Sequence, residues 1–192
     1  ALGVVGNPSS IHSFGQSARQ MVEEARESIA LAVTADRNEV IFTSGGTESN
    51  NLAIKGLFWE RNKDNANRRK IVSAYTEHHA VIDAIEWLEI HEQVEAVWVP
   101  VNDDGLVDFD WYKNYLALHS DEIALVSLMI ANNETGVITD LKKFIDLANS
   151  YKIPTHSDAI AAFGHIEIDF HALGLSTMAI SAHKVGGPVG VG

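Results

Sequence analysis

The chain has 192 residues, 26 of them acidic and 14 basic, for a formal charge of −12, and it contains no cysteine. That balance argues against nucleic acid as a partner, because an acidic chain repels phosphates and the only tight basic run, Arg68-Arg69-Lys70, falls in a predicted loop. Without thiols there is no disulfide or thiolate metal site, which fits a reducing cytoplasm, and no apolar run approaches the ~18 residues of a membrane span.

With 46% hydrophobic residues the chain can build one sizeable core. A helix is predicted from Gly15 to Val33, because Ala18, Met21, Val22, Ala25, Ile29 and Val33 recur at three- and four-residue intervals. Glu39–Thr43 reads as a short β-branched strand. Ser44-Gly45-Gly46 then turns into a helix from Thr47 to about Trp59. Ile71–Ala74 is a second strand, and the helix after it, His79 to His91, is expected to bury Val81, Ile82, Ile85 and Leu88. Ala96–Val101 is the next strand, closed by the turn Asp103-Asp104-Gly105. A short helix over 110–118 leads into Ile123–Ala131, whose near-continuous apolar run predicts a strand buried on both faces. A helix from Leu141 to Tyr151 follows Thr139-Asp140, a fitting cap. Two last strands lie near Ile153–Ser157 and Thr177–Ser181. This alternation predicts an α/β fold with a largely parallel sheet, whose ligands sit at the carboxyl ends of the strands. The missing initiator Met and the glycine-rich apolar close, Gly186 to Gly192, suggest a piece of a longer protein.

Five segments fall at those strand ends: Ser44-Gly-Gly-Thr47, Thr76-Glu-His78, Asn132-Asn-Glu134, Asp158 and Ser181-Ala-His-Lys184. In the first, glycine lets backbone approach a ligand and the unpaired N–H groups of a helix start favour an anion, with Thr47 adding a hydroxyl. A plain strand–helix turn would look the same. Asp158 is placed to keep a ring nitrogen protonated, or simply to cap a helix. His78 suits stacking on a planar ring or capping. Asn133 suits a hydrogen bond to a phenolic oxygen or a turn. Lys184 follows an apolar strand in a segment without nearby acids. Partial desolvation there would make its amine a nucleophile, with Ser181 and His183 in reach of a phosphate at the same place.

Taken in order, Gly6-Asn-Pro-Ser-Ser-Ile-His12, Phe42-Thr-Ser-Gly-Gly-Thr-Glu-Ser49, Thr76-Glu-His78, Asn132-Asn-Glu-Thr-Gly136, His156-Ser-Asp-Ala159 and Ser181-Ala-His-Lys184 carry a resemblance. The chain resembles the cysteine desulfurases, in the class V branch of the fold-type-I enzymes that use pyridoxal 5′-phosphate (PLP). The resemblance implies a three-layer α/β sandwich around a mainly parallel mixed sheet. In it, residues 15–192 form the PLP-binding large domain, residues 1–14 are an arm joining to a small domain, and that C-terminal small domain is absent. It implies that Lys184 carries PLP as a Schiff base and moves the Cα proton, Asp158 pairs with the pyridine nitrogen, and His78 stacks on the ring. Gly46, Thr47, Ser181 and His183 would hold the phosphate, and Asn133 would lie near the ring. L-cysteine would be the substrate, alanine and an enzyme persulfide the products, a sulfur-acceptor scaffold the partner, and a cytoplasmic homodimer the assembly. The persulfide would feed iron–sulfur cluster or thio-cofactor synthesis, and no metal is implied.

Two departures bear on that reading. The family's Gln three residues after the pyridine-pairing Asp is here Ala161, and the sulfur-accepting cysteine has no counterpart in the chain. The alternatives are another class V enzyme, such as a selenocysteine lyase or an aminotransferase, and a truncated paralogue without catalysis.

Overall fold

The computed structural model describes residues 6–192; the first five residues of the expected arm 1–14 lie outside the described residues. Contacts group the described chain into two units, one running to Ile41 and including Ile168–His171, the other formed by Phe42–Glu167 and Ala172–Gly192.

The first unit is built on α1 (Ser13–Ala32). Of its predicted apolar face, Val33 is buried, Ala18, Met21, Val22 and Ile29 are half-buried, and Ala25 is exposed. The strand expected over Glu39–Thr43 does not form. A strand is defined by a ladder with a neighbour, whereas Glu39 closes a 3₁₀ turn from Arg37. Within the second unit, Thr43 exchanges a single pair of backbone hydrogen bonds with Gly192, at 2.8 and 3.0 Å.

The second unit alternates as the periodicity predicts: α2 (Gly46–Asp64), β1 (Lys70–Ser73), α3 (His79–Glu92), β2 (Glu95–Trp98), α4 (Phe109–His119), β3 (Ile123–Ser127), α5 (Leu141–Ser150) and β4 (Thr155–Asp158). The short α6 (Phe170–Leu173) precedes β5 (Thr177–Ala179). The sheet order is β2-β1-β3-β4-β5. Every pairing among the described strands is parallel, in keeping with the mainly parallel sheet expected. β2 stops short of its predicted end at Val101, because Pro100 has no N–H to give a ladder. Asp140 makes no capping hydrogen bond to α5 and pairs instead with Lys143 at 3.7 Å. No helix among the described residues is long and apolar enough to cross a membrane.

All nine residues from Ile123 to Ala131 are buried, which requires cover on both sheet faces. α2 and α3 pack together, and Ile54, Phe58, Ile85 and Leu88 lie on Ile71 and Leu125 in one core cluster. Elsewhere in the unit Tyr112 of α4 is fully buried against Phe144 of α5, its hydroxyl donating to the Phe144 carbonyl at 3.0 Å. The strand order reverses between β1 and β3. Loops leaving neighbouring strands at such a point diverge to opposite faces and open a crevice at the carboxyl edge.

Candidate active site

That crevice is a cavity of about 290 Å³ lined by Gly46, Thr47, His78, Ala80, Met129, Asn133, Asp158, Ile160, Ala161, His183 and Lys184. Seven of the eight residues singled out from sequence are in its wall. The eighth, Ser181, is buried beside it, with its Oγ 2.8 Å from His183 Nδ1.

Each side chain arrives there for a local reason. Gly45 enters α2 with φ +152°, a region open to glycine at little cost. At Gly46 an added Cβ would fall 2.1 Å from Ile160 Cδ1, so the Ile160 side chain takes the place a side chain at 46 would fill. The carboxylate of Glu48 reaches back to the Ser44 N–H and hydroxyl at 2.7 and 2.5 Å, fixing the turn into α2, whose first residues Gly46 and Thr47 line the cavity. His78 ends the loop after β1 and caps α3, its Nδ1 accepting from the Ala80 N–H at 3.0 Å. A backbone N–H only donates, so Nδ1 of this ring is the acceptor and carries no proton. The plain capping role and a place in the cavity are therefore the same geometry. His79 points outward and meets Asp83 at 3.4 Å.

Asp158 closes β4 at 3% exposure. Burial pushes its carboxyl up from the ordinary value. The Ile160 N–H and the Asn50 amide, at 2.9 and 2.8 Å, oppose that shift, as do the charges of His78 and Lys184. Lys184 lies in a 3₁₀ turn and is exposed, which corrects the expectation of a desolvated amine: the Gly186-Gly187 stretch after it supplies too little side chain to cover it. Among the described residues the side chains of Thr47, Asn133 and Lys184 have no hydrogen-bond partner, and all three residues line the cavity.

Sequence reasoning overlooked three residues. Asn50 falls at the same four-residue spacing as Gly46, Ile54 and Phe58, all buried on one face of α2. An amide on an apolar stripe was the readable signal. His156, beside it, is 1% exposed and held by burial at a pKa of about 4. Glu77 is 6% exposed, and burial pushes its carboxyl well above the usual range. Its Oε1 accepts from the Met129 N–H at 2.6 Å, while Oε2 has no partner among the described residues. Beside it Asn132 donates to the Thr76 carbonyl at 2.6 Å. These two bonds latch the β1 and β3 loops together and bring His78 and Asn133 to one cavity.

The family described as Aminotransferase class-V matches residues 2–192. The chain is 48% identical over 188 residues to an IscS-like cysteine desulfurase of Mycobacterium tuberculosis, covering 98% of this chain and 48% of the relative. It is 46% identical over 187 residues to the cysteine desulfurase IscS of Dictyoglomus turgidum, covering 97% and 46%. Among solved structures, a NifS-like protein superposes with a TM-score of 0.89 at 31% identity, over 97% of this chain and 50% of that one. SspA in complex with cysteine also gives 0.89, at 28% identity over 98% and 52%. The chain spans about half the length of the relatives it matches.

Proposed function

The chain belongs to the class-V aminotransferase family, and from that premise we propose that it is the PLP-binding part of a cysteine desulfurase, with residues 15–192 as most of the large domain and 1–14 as an arm. The observation that carries the reading is the convergence of a buried carboxylate, a free amine and a helix start on one cavity of about 290 Å³. The donor set fits the cofactor: an acid for a ring nitrogen, an amine for an aldehyde, N–H groups and hydroxyls for a phosphate.

When bound, PLP supplies an electron sink for charge developing at the Cα of an attached amino acid. Lys184 Nζ would hold its aldehyde carbon and would be the amine that takes and returns a proton at the Cα of L-cysteine. Asp158 pairs with the ring nitrogen and keeps it protonated. The His78 ring would stack on the cofactor, held in place by the Ala80 N–H bond to its Nδ1. Gly46, Thr47, Ser181 and His183 hold the phosphate, and Asn133 lies by the ring. The substrate sulfur passes to a cysteine that these 192 residues do not contain, leaving alanine, and supplies iron–sulfur or thio-cofactor synthesis through an acceptor scaffold. The resemblance and the relatives' names support that substrate. A cytoplasmic homodimer rests on the resemblance alone.

Full-length protein mixed with PLP is expected to gain a visible absorption band that Lys184→Ala lacks, and to release alanine and sulfide from L-cysteine under reductant. A band with other products points to a different class V reaction, a selenocysteine lyase or an aminotransferase. Ala161, a methyl in the cavity wall where the resemblance expects an amide, favours a second reading as a non-catalytic paralogue. A wild type that never gains the band would establish it.

A further inference from the structure

A line of buried polar groups runs from Asp158 away from the cavity. Asn50 Nδ2 is 2.8 Å from Asp158 Oδ2, Asn50 Oδ1 is 2.9 Å from His156 Nε2, and His156 Nδ1 is 2.9 Å from Thr177 Oγ1. Asn50 and His156 are 0% and 1% exposed. The fold makes the line possible: His156 and Asp158 are two residues apart on β4 and share a sheet face, α2 brings Asn50 over that face, and the β4–β5 register sets Thr177 beside His156.

The polarity of this line is fixed. Turning the Asn50 amide over would set its oxygen against the Asp158 carboxylate, two acceptors face to face in a site without water to separate them. The amide therefore donates to Asp158 and accepts from His156, which puts the imidazole proton on Nε2 and leaves Nδ1 to accept from the Thr177 hydroxyl. A charged imidazole would offer Thr177 a second N–H, and burial keeps the ring neutral. Asp158 thus receives two fixed donors, Asn50 on Oδ2 and the Ile160 N–H on Oδ1 at 2.9 Å. Donors to a carboxylate favour its ionised form and fix its plane.

We propose that Thr177, His156 and Asn50 form a hydrogen-bond relay of fixed polarity that orients Asp158 and keeps it a carboxylate, which makes Asn50 and His156 positioning residues for the group paired with the cofactor's ring nitrogen. The role toward the cofactor rests on the PLP reading above; the relay itself does not. The titratable groups facing Asp158 are Glu77, His78 and Lys184, and each must be followed beside it.

The test is NMR on the full chain without cofactor, followed by a PLP titration. Wild-type His156 should show a neutral ring protonated on Nε2. Asn50→Leu should raise the pH at which the Asp158 carboxyl titrates by about one unit or more, since it removes one of two fixed donors. Thr177→Val, a gentler change if Asn50→Leu does not fold, should release the tautomer and shift Asp158 less, in the same direction. His156→Leu should weaken PLP binding about tenfold or more, and His156→Gln, which keeps an N–H facing Asn50, should restore most of it. An imidazole protonated on Nδ1, or an Asp158 titration unmoved in both Asn50→Leu and Thr177→Val, overturns the relay. An Asp158 titration shifted in Asn50→Leu, when the wild type binds no PLP, keeps the relay and overturns the cofactor reading. Equal PLP affinity in His156→Leu and wild type overturns the positioning role.

Discussion

At the amino ends of β1, β2 and β3 the sheet carries a hollow of about 690 Å³ lined by Asn65, Ala66, Asn67, Arg69, Lys70, Glu95, Asp121 and Glu122. At the carboxyl ends lies the smaller cavity of about 290 Å³. The larger hollow is satisfied from within: Lys70 Nζ stands 2.8 Å from Glu122, 3.9 Å from Glu95 and 3.3 Å from His119 Nδ1. In the smaller one Thr47, Asn133 and Lys184 line the wall with side chains that have no hydrogen-bond partner among the described residues, and the buried Asp158 is braced from behind. Volume does not mark the site. Bonding capacity that the protein itself leaves unused, backed by groups it has fixed, does.

The comparison is broken most forcefully through the bracing. His156 has a folded pKa of about 4 against an ordinary 6.5, so its stabilisation is complete above pH 6.5 and is lost as pH falls toward 4. The gap corresponds to about 3 kcal/mol, since each pKa unit is ~1.4 kcal/mol. Urea unfolding between pH 7 and 4 should show that loss, and His156→Gln should flatten it. Next comes Ala161→Gln, which adds an amide to the cavity wall and should tighten PLP binding at least about tenfold, a charge-assisted bond being worth about 1.5–3 kcal/mol. Equal dissociation constants by fluorescence titration would show that an added donor finds no partner there.

Glu77 sharpens the comparison with the opposite sign. Its folded pKa is raised above the ordinary 4.5, so its contribution is complete below pH 4.5 and declines as pH rises toward the folded value. Glu77→Gln keeps an acceptor for the Met129 N–H and should flatten the fall in stability above pH 4.5. The smallest effect belongs to the amino edge. Glu122→Gln breaks a solvent-screened pair, and it should barely move the unfolding midpoint and leave PLP affinity unchanged. A marked loss of PLP binding in that variant would show that the two edges are coupled.

Hydrophobic spacing alone placed α1 to α5 and the five paired strands within a few residues, because each element's own side chains must cover its own buried face. The alternation of elements put all eight named site residues at strand ends on one edge, and seven of them line the cavity. It failed at Glu39–Thr43, whose β-branched run has the composition of a strand but lacks a ladder. Only the tertiary structure decided that Lys184 is exposed, that Glu77 sits buried beside Met129 across 52 residues, and that Asn50 meets His156 and Asp158 across 106 and 108. Local periodicity records which face of an element is apolar. It holds no record of which distant polar group will satisfy a buried donor, since that partner exists only once the chain has closed around it.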